Sequence, residues 1–328
     1  MRLGVLDIGS NTGHLILIEG QLGSRPEAYT AAHKEPLQLV RYIDADGNIT
    51  DEGRDRLTAF VKSAVLYAIE HGAEDLLAFA TSAIRESKNG PEVLQHVQNQ
   101  TGVNLTEITG DQEAAITYHA VRHWQGWGAG RILNFDIGGG SFEFSTGMDA
   151  YPDDAISVPL GATRLTGDWF SAPVPSPKEI KKLRKYVRET LEPVAETLLA
   201  YGQPHMVVGT SKTFRSLARI CGAAPYSAGP FVKREMSLED LKLWTRRLEA
   251  MPPEERAGLP GVSDVRAEQM LAGAIAAETA MAVFGVDRMR VSPWALREGL
   301  VLRRMNYLSQ QGPEAMIDPR SLAEFVQD

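Results

Sequence analysis

One cysteine, Cys221, is all that the 328-residue chain contains. That excludes a disulfide framework and a thiolate metal cluster, and a lone cysteine in an apolar helical stretch reads as a buried filler. No apolar run approaches the length of a membrane span. The amino terminus offers a single basic residue, Arg2, before Asp7 and Gly9, which is not the pattern of a signal peptide. A cytoplasmic protein with no membrane partner is therefore expected. Positive charge is not in excess: the formal net charge is −8, which argues against a general nucleic-acid binder. A polyanionic ligand stays compatible with that balance, because a local basic cleft or a bound metal reverses the field where it matters. The chain has no His-Glu-x-x-His and no adjacent His-Asp pair, so two common metal-hydrolase signatures are missing. His119 and His123 share one helix face without a third ligand and read as surface or interface residues. No low-complexity linker interrupts the sequence.

What is present is the composition of a soluble globular protein, 43% hydrophobic and 23% charged. The length suggests two domains. Two segments look like copies of one device. Residues 2–6 form an apolar strand ending in Asp7-Ile8-Gly9-Ser10-Asn11, followed by a second apolar run at 14–18. About one domain length later, residues 131–135 form a strand ending in Asp136-Ile137-Gly138-Gly139-Gly140-Ser141, followed by 142–145. Such self-similarity suggests duplicated domains facing each other across a cleft.

Between the copies the apolar pattern alternates between the two periods. A helix over 51–71, a strand at 76–79, a helix from Pro91, a strand at 104–108 and a helix from Asp111 to Trp124 are expected. The second half reads as more helical, with helices at 177–199, 212–220, 266–284 and 295–307, and strands at 206–208 and 289–292. Ser237 and Asp240 open a further helix, and Pro252-Pro253 breaks the chain. This is an α/β layer arrangement, divided as 1–124 and 125–308, with 309–328 a loosely held tail. The last helix is allowed to pack back on the first domain. Trp124 and Trp127 read as a hinge or domain contact. Lys178, Lys181, Lys182, Arg184 and Lys185 are a solvated helix face or a steering patch for a polyanion.

Phosphate binding needs several N–H donors at close range, and glycines allow it because no Cβ intervenes. Gly138-Gly139-Gly140-Ser141 directly after a strand supplies that shape and a hydroxyl. Asp136 supplies a carboxylate suited to a metal-bound water or to Mg²⁺ itself. Gly9-Ser10-Asn11 offers a second, smaller anion hairpin. Either motif alone is equally well a tight β-turn, whereas two copies led by Asp-Ile-Gly favour phosphate. Glu113 lies at the start of a helix, near the positive end of the dipole, and should be a carboxylate ready to accept a proton.

The ordered set Asp7 to Asn11, Ala80-Thr81-Ser82-Ala83-Ile84-Arg85, Gly110-Asp111-Gln112-Glu113-Ala114 and Asp136 to Ser141 resembles the exopolyphosphatase / guanosine-pentaphosphate phosphohydrolase family. Val208-Gly209-Thr210-Ser211-Lys212-Thr213 and Leu296-Arg297-Glu298-Gly299 match two further family segments. The chain is similar to the short two-domain members found in actinobacteria. The resemblance implies two actin-like (ribonuclease-H-like) domains of the sugar kinase / heat-shock ATPase / actin superfold. It implies removal of terminal phosphate from inorganic polyphosphate, with Mg²⁺ or in its place Mn²⁺. Guanosine penta- or tetraphosphate is the alternative substrate or an inhibitor. A homodimer is implied as well. Carried over by position, Glu113 activates water, Asp136 and Glu143 hold the metal, and Gly138, Gly139, Gly140 and Ser141 cradle phosphate. Ser10 and Asn11 lie on the opposite side, Arg85 and Arg266 on the phosphate path, and Gly209, Thr210, Ser211 and Lys212 form a nucleotide or phosphate loop. Phe142 departs from the family, where many members have Thr. A non-catalytic polyphosphate or alarmone sensor is the rival reading, disfavoured by the intact Glu113, Asp136 and Glu143. The acidic tail residues Glu314, Asp318, Glu324 and Asp328 lead to an expected preference for short or medium chains.

Overall fold

The computed structural model describes residues 1–19 and 29–326. Asp328 and the side chain of Glu324, both invoked in the tail argument above, lie outside the described residues. The chain divides into two compact units, Met1–Thr109 with Arg297–Asp328, and Gly110–Leu296.

In the first unit, β1 (Arg2–Ile8), β2 (Gly13–Glu19) and β3 (Tyr29–Glu35) form an antiparallel meander. Then come α1 (Asp51–Glu70), β4 (Asp75–Ala80), α2 (Ser82–Arg85), α3 (Gly90–Thr101) and β5 (Thr106–Glu107). The sheet order is β3-β2-β1-β4-β5, with β4 and β5 parallel to β1. In the second unit, α4 (Gly110–Gln125) precedes a second meander of β6 (Ile132–Ile137), β7 (Phe142–Gly147) and β8 (Asp154–Val158). Next come α5 (Ala162–Trp169), α6 (Pro177–Leu199), β9 (Met206–Thr210), α7 (Ser211–Ile220), β10 (Glu235–Ser237), α8 (Leu238–Ala250), α9 (Pro253–Ala257), α10 (Asp264–Ala267), α11 (Met270–Val283) and β11 (Arg288–Val291). Its sheet order is β10-β11-β9-β6-β7-β8. Helices α12 (Leu296–Gln311) and α13 (Ala323–Val326) end the chain. Without β10, the second sheet repeats the order and strand senses of the first, so the duplicated Asp-Ile-Gly segments are the ends of equivalent strands, β1 and β6.

Each unit has its own core. Leu6, Ile8, Leu15 and Leu17 of the first sheet pack with Leu57, Phe60, Val61 and Ala64 of α1. In the second unit, Phe135, Phe142, Phe144 and Phe214 interlock, and α11 is buried along nearly its whole length. An all-round apolar helix of this kind belongs inside a domain.

Several boundaries differ from the sequence reading, each for an identifiable reason. The division falls at Thr109/Gly110, not after Trp124, because Tyr118 and Val121 of α4 bury themselves with Ile132 and Val208 of the second sheet. The expected helix over 266–284 is broken at Glu268 and Gln269. There the buried Arg256 donates to the carbonyls of Ala267 and Glu268 at 3.5 and 3.4 Å and takes up acceptors that a continuous helix would use. Part of the segment after 309 is tied down: Arg304 forms a two-pronged ion pair with the fully buried Asp75, at 2.7 and 2.8 Å. Ile317 N donates to the same carboxylate at 2.7 Å, and Leu322 joins the first core.

Candidate active site

Position in the second sheet decides which side chains meet. On antiparallel strands, residues directly opposite project on the same face, about 4.5–5.5 Å apart at Cβ. Asp136 on β6 pairs with Glu143 on β7, and Glu143 pairs in turn with Ser157 on β8. Asp136 lies at the carboxyl end of its strand, next to Thr210 on the parallel strand β9, whose hydroxyl donates to Asp136 Oδ2 at 2.7 Å. Ser157 Oγ donates to Glu143 Oε1 at 2.9 Å. Alternation sends the neighbouring Phe142 to the other face, into ring contact with Phe135 and Phe144. The family's missing threonine hydroxyl is thus a matter of core packing in this chain, not of the polar face.

Glu113 completes a cluster of three carboxylates. It lies in the first turn of α4, a helix held over the β7–β8 edge, where Asp111 Oδ1 accepts from Ser157 N at 2.9 Å. Burial, then the charges of Glu113 and Asp136, push the Glu143 carboxyl well above the usual range, while the hydroxyls of Ser141 and Ser157 pull it the other way. Mutual repulsion in a buried place is what a hard cation relieves. Mg²⁺ is commonly held by one or two carboxylates and completes its shell with water. The Asp136/Glu143 pair fits that donor set, although no group of three metal-ligating side chains converges among the described residues.

The glycine turn beside this pair is held from behind. The carbonyls of Gly138 and Gly140 accept from the amides of Ala162 and Gly161, and the Gly139 carbonyl accepts from those of Thr163 and Arg164. Arg164 Nε adds a bond to the Gly140 carbonyl at 2.9 Å. With the carbonyls fixed this way, the amides of Gly139 and Gly140 make no hydrogen bond within the protein among the described residues. They are the donors an incoming anion needs. Gly161 is essential to the arrangement: a Cβ there would stand 2.3 Å from the backbone of Gly139 and Gly140. Thr163 Oγ1 donates to Gln269 Oε1 at the start of α11, tying the turn to the break that follows Arg266.

The predicted residues divide between the units. Glu113, Asp136, Gly138, Gly139, Gly140, Ser141, Glu143 and Thr210 come together in the second. The Ser141 hydroxyl is directed to Glu143, leaving the backbone as its route to phosphate. Ser211 follows Thr210 at a left-handed φ of 74°, a strained conformation for a residue with a side chain, and its buried hydroxyl has no partner. Lys212 is exposed on the same first turn of α7. Gly209 has a packing explanation, since the Phe214 ring lies 2.9 Å from where its Cβ would be. Arg266 sits half-buried on α10. In the first unit, Ser10 Oγ and Ser82 Oγ share a hydrogen bond of 2.6 Å, the Asn11 carbonyl accepts from Gln38 N, and Arg85 Nη1 donates to the Ile108 carbonyl. Gly161, Thr163, Arg164 and Ser157 escaped the sequence reading. The only local trace of the first three is a glycine opening a short helix.

Carboxylates in register, beside a glycine turn with inward amides, define a phosphoryl-transfer type of site. The chain belongs to the Ppx/GppA phosphatase family, whose profile matches residues 28–308. It is 44% identical over 326 residues to Exopolyphosphatase 1 of Mycobacterium tuberculosis (strain ATCC 25618 / H37Rv), covering 99% of this chain and 94% of that one. Among solved structures, the Aquifex aeolicus member of the Ppx/GppA family superposes with a TM-score of 0.80 at 26% identity, over 95% of this chain and 99% of its own. An exopolyphosphatase from Cytophaga hutchinsonii gives 0.83 at 24% identity, over 94% and 98%, which speaks for the fold. The two units are thus the two actin-like domains of this family. No helix among the described residues is long and apolar enough to cross a membrane.

Proposed function

We propose that the chain is an exopolyphosphatase that releases terminal orthophosphate from inorganic polyphosphate with the help of Mg²⁺. The observation that carries this reading is the Asp136–Glu143 cross-strand pair, with Glu113 close enough to raise the Glu143 carboxyl, beside a glycine turn whose amides face an anion. The 44% identity to a protein described as an exopolyphosphatase supports the choice of substrate.

In this mechanism the amides of Gly139 and Gly140 hold oxygens of the terminal phosphoryl group. Glu113 orients a water for in-line attack and takes its proton as the new P–O bond forms. The bond to the bridging oxygen breaks, and that oxygen leaves with its electron pair on a chain one unit shorter. Asp136 and Glu143 would hold Mg²⁺, which when bound neutralises charge on the phosphate oxygens. Thr210 fixes the rotamer of Asp136, and Ser157 that of Glu143. Mn²⁺ is the expected substitute.

The preference for short or medium chains was expected from acidic residues near the carboxyl end. Asp318 is paired with Arg320 at 2.8 Å, which weakens that repulsion, so a product-length assay is the proper arbiter. The homodimer expected from the family is tested by sedimentation. The experiment for the function itself is phosphate release from polyphosphate, guanosine pentaphosphate and ATP in parallel, with and without Mg²⁺. Release from polyphosphate that requires the metal supports the proposal. Turnover of guanosine pentaphosphate alone would replace it with the phosphohydrolase reading, and binding without turnover with the sensor.

A further inference from the structure

The duplicated strand pairs keep the same frame with opposite chemical content. In the second unit, Asp136 at the end of β6 faces Glu143 on β7. In the first, Asp7 at the end of β1 faces His14 on β2 at the same offset along the chain. The parallel neighbour of Asp136 is Thr210, which donates to it. The parallel neighbour of Asp7 is Phe79, which has nothing to donate. In its place Arg297, at the start of the segment that returns to the first unit, donates Nε to Asp7 Oδ2 at 2.9 Å.

The consequences are electrostatic. Burial first, and then the charges of Arg297, Lys34 and His33, lower His14 to about 3, so its imidazole is neutral at physiological pH. The frame in the second unit gathers uncompensated carboxylates, while the frame in the first holds one carboxylate neutralised by a guanidinium. A divalent cation there would have to displace Arg297 from the one anionic oxygen donor of the pair, and cations of this kind need anionic oxygens. The adjoining Gly9-Ser10-Asn11 hairpin and the Ser10–Ser82 hydroxyl pair provide neutral polar groups beside a fixed positive charge.

We propose that the Asp7–His14 frame is an arginine-charged phosphoryl subsite that excludes divalent metal, with Arg297 as its cation and Asp7 as the group that aims it. This deepens the polyphosphate reading and rests on it for the identity of the ligand. The exclusion of metal does not depend on turnover. Arginine suits the role because its planar fork meets a carboxylate on one edge and phosphate oxygens on another.

The test uses the full chain and two readouts other than hydrolysis. Mn²⁺ binding is counted by the loss of its free-ion spin-resonance signal. Tripolyphosphate binding is measured by calorimetry in a Glu113→Gln background. Asp7→Asn is expected to leave the Mn²⁺ count at the wild-type value. The pair His14→Glu with Arg297→Met, which copies the second frame into the first, is expected to add one Mn²⁺ per chain. Arg297→Met alone should weaken tripolyphosphate binding roughly ten- to hundred-fold, with Arg297→Lys recovering part of it. A wild-type Mn²⁺ lost in Asp7→Asn would overturn the proposal. So would a folded double variant with an unchanged count, or Arg297→Met with undiminished tripolyphosphate affinity. Circular-dichroism melting establishes folding, and if the double variant fails it, the single variants still decide. Absence of polyphosphate hydrolysis in the wild type would remove the functional reading while leaving the metal count to stand or fall separately.

Discussion

Glu143 stands directly opposite Asp136 on the neighbouring strand, buried, with its carboxylate receiving the Ser157 hydroxyl and repelled by both Asp136 and Glu113. Such an arrangement is unfavourable for the protein alone and suited to a cation.

Glu143→Gln should therefore separate stability from function. A carboxyl whose folded pKa is raised contributes stability that is present below its unfolded value of 4.5 and lost as pH rises through the folded value. At neutral pH without metal, the amide relieves the repulsion, so the variant should melt higher, by about 2–4 °C for each kcal/mol relieved. Its Mg²⁺ requirement should rise at the same time. Thermal melts in EDTA across pH, beside Mg²⁺ titrations of activity, check both halves. A variant that melts lower at neutral pH and keeps the wild-type Mg²⁺ requirement contradicts the account.

Gly161→Ala should disable the phosphate turn. Its Cβ would meet main-chain atoms 2.3 Å away, with no flexible side chain to yield. Forcing the turn open costs about 1–3 kcal/mol of stability and misaligns the Gly139 and Gly140 amides, so kcat/KM should fall by roughly a hundred-fold. Gly167→Ala on the same helix is the control: open space surrounds its Cβ, and replacing a mid-helix glycine should be neutral or stabilising by about 0.5–1 kcal/mol. Equal kinetics in the two variants would refute the assignment.

The Asp75–Arg304 ion pair is expected to anchor the carboxyl-terminal segment to the first sheet. Asp75→Asn leaves the Arg304 guanidinium, itself largely buried, without its counter-charge and weakens the bond to Ile317 N. A loss of about 3–5 kcal/mol follows from breaking a buried pair. Urea unfolding reads it, and a midpoint equal to wild type would show the pair to be dispensable.

Much of the site was legible because its elements are local. Asp136 and the glycines after it announce a strand and a phosphate turn within six letters, and the second Asp-Ile-Gly announces the duplication. What escaped depends on contacts distant in sequence. Strand β3, Tyr-Thr-Ala-Ala-His-Lys-Glu, lacks an apolar alternation and is a strand because β2 lends it a partner. Gly161 matters because another loop passes where its side chain would be. The inward turn of Phe142 follows from strand alternation once Glu143 is placed on the polar face. The break before α11 comes from Arg256, which no helical periodicity contains.

The central claim is that Glu113 is the base for water attack on a polyphosphate end. Steady-state phosphate release by Glu113→Gln, with polyphosphate binding measured on the same preparation, tests it most directly. The account predicts that kcat falls about 10²–10⁴-fold while affinity stays near wild type, because shape is kept and only the proton acceptor is lost. A variant that retains the wild-type kcat in saturating Mg²⁺ would contradict it.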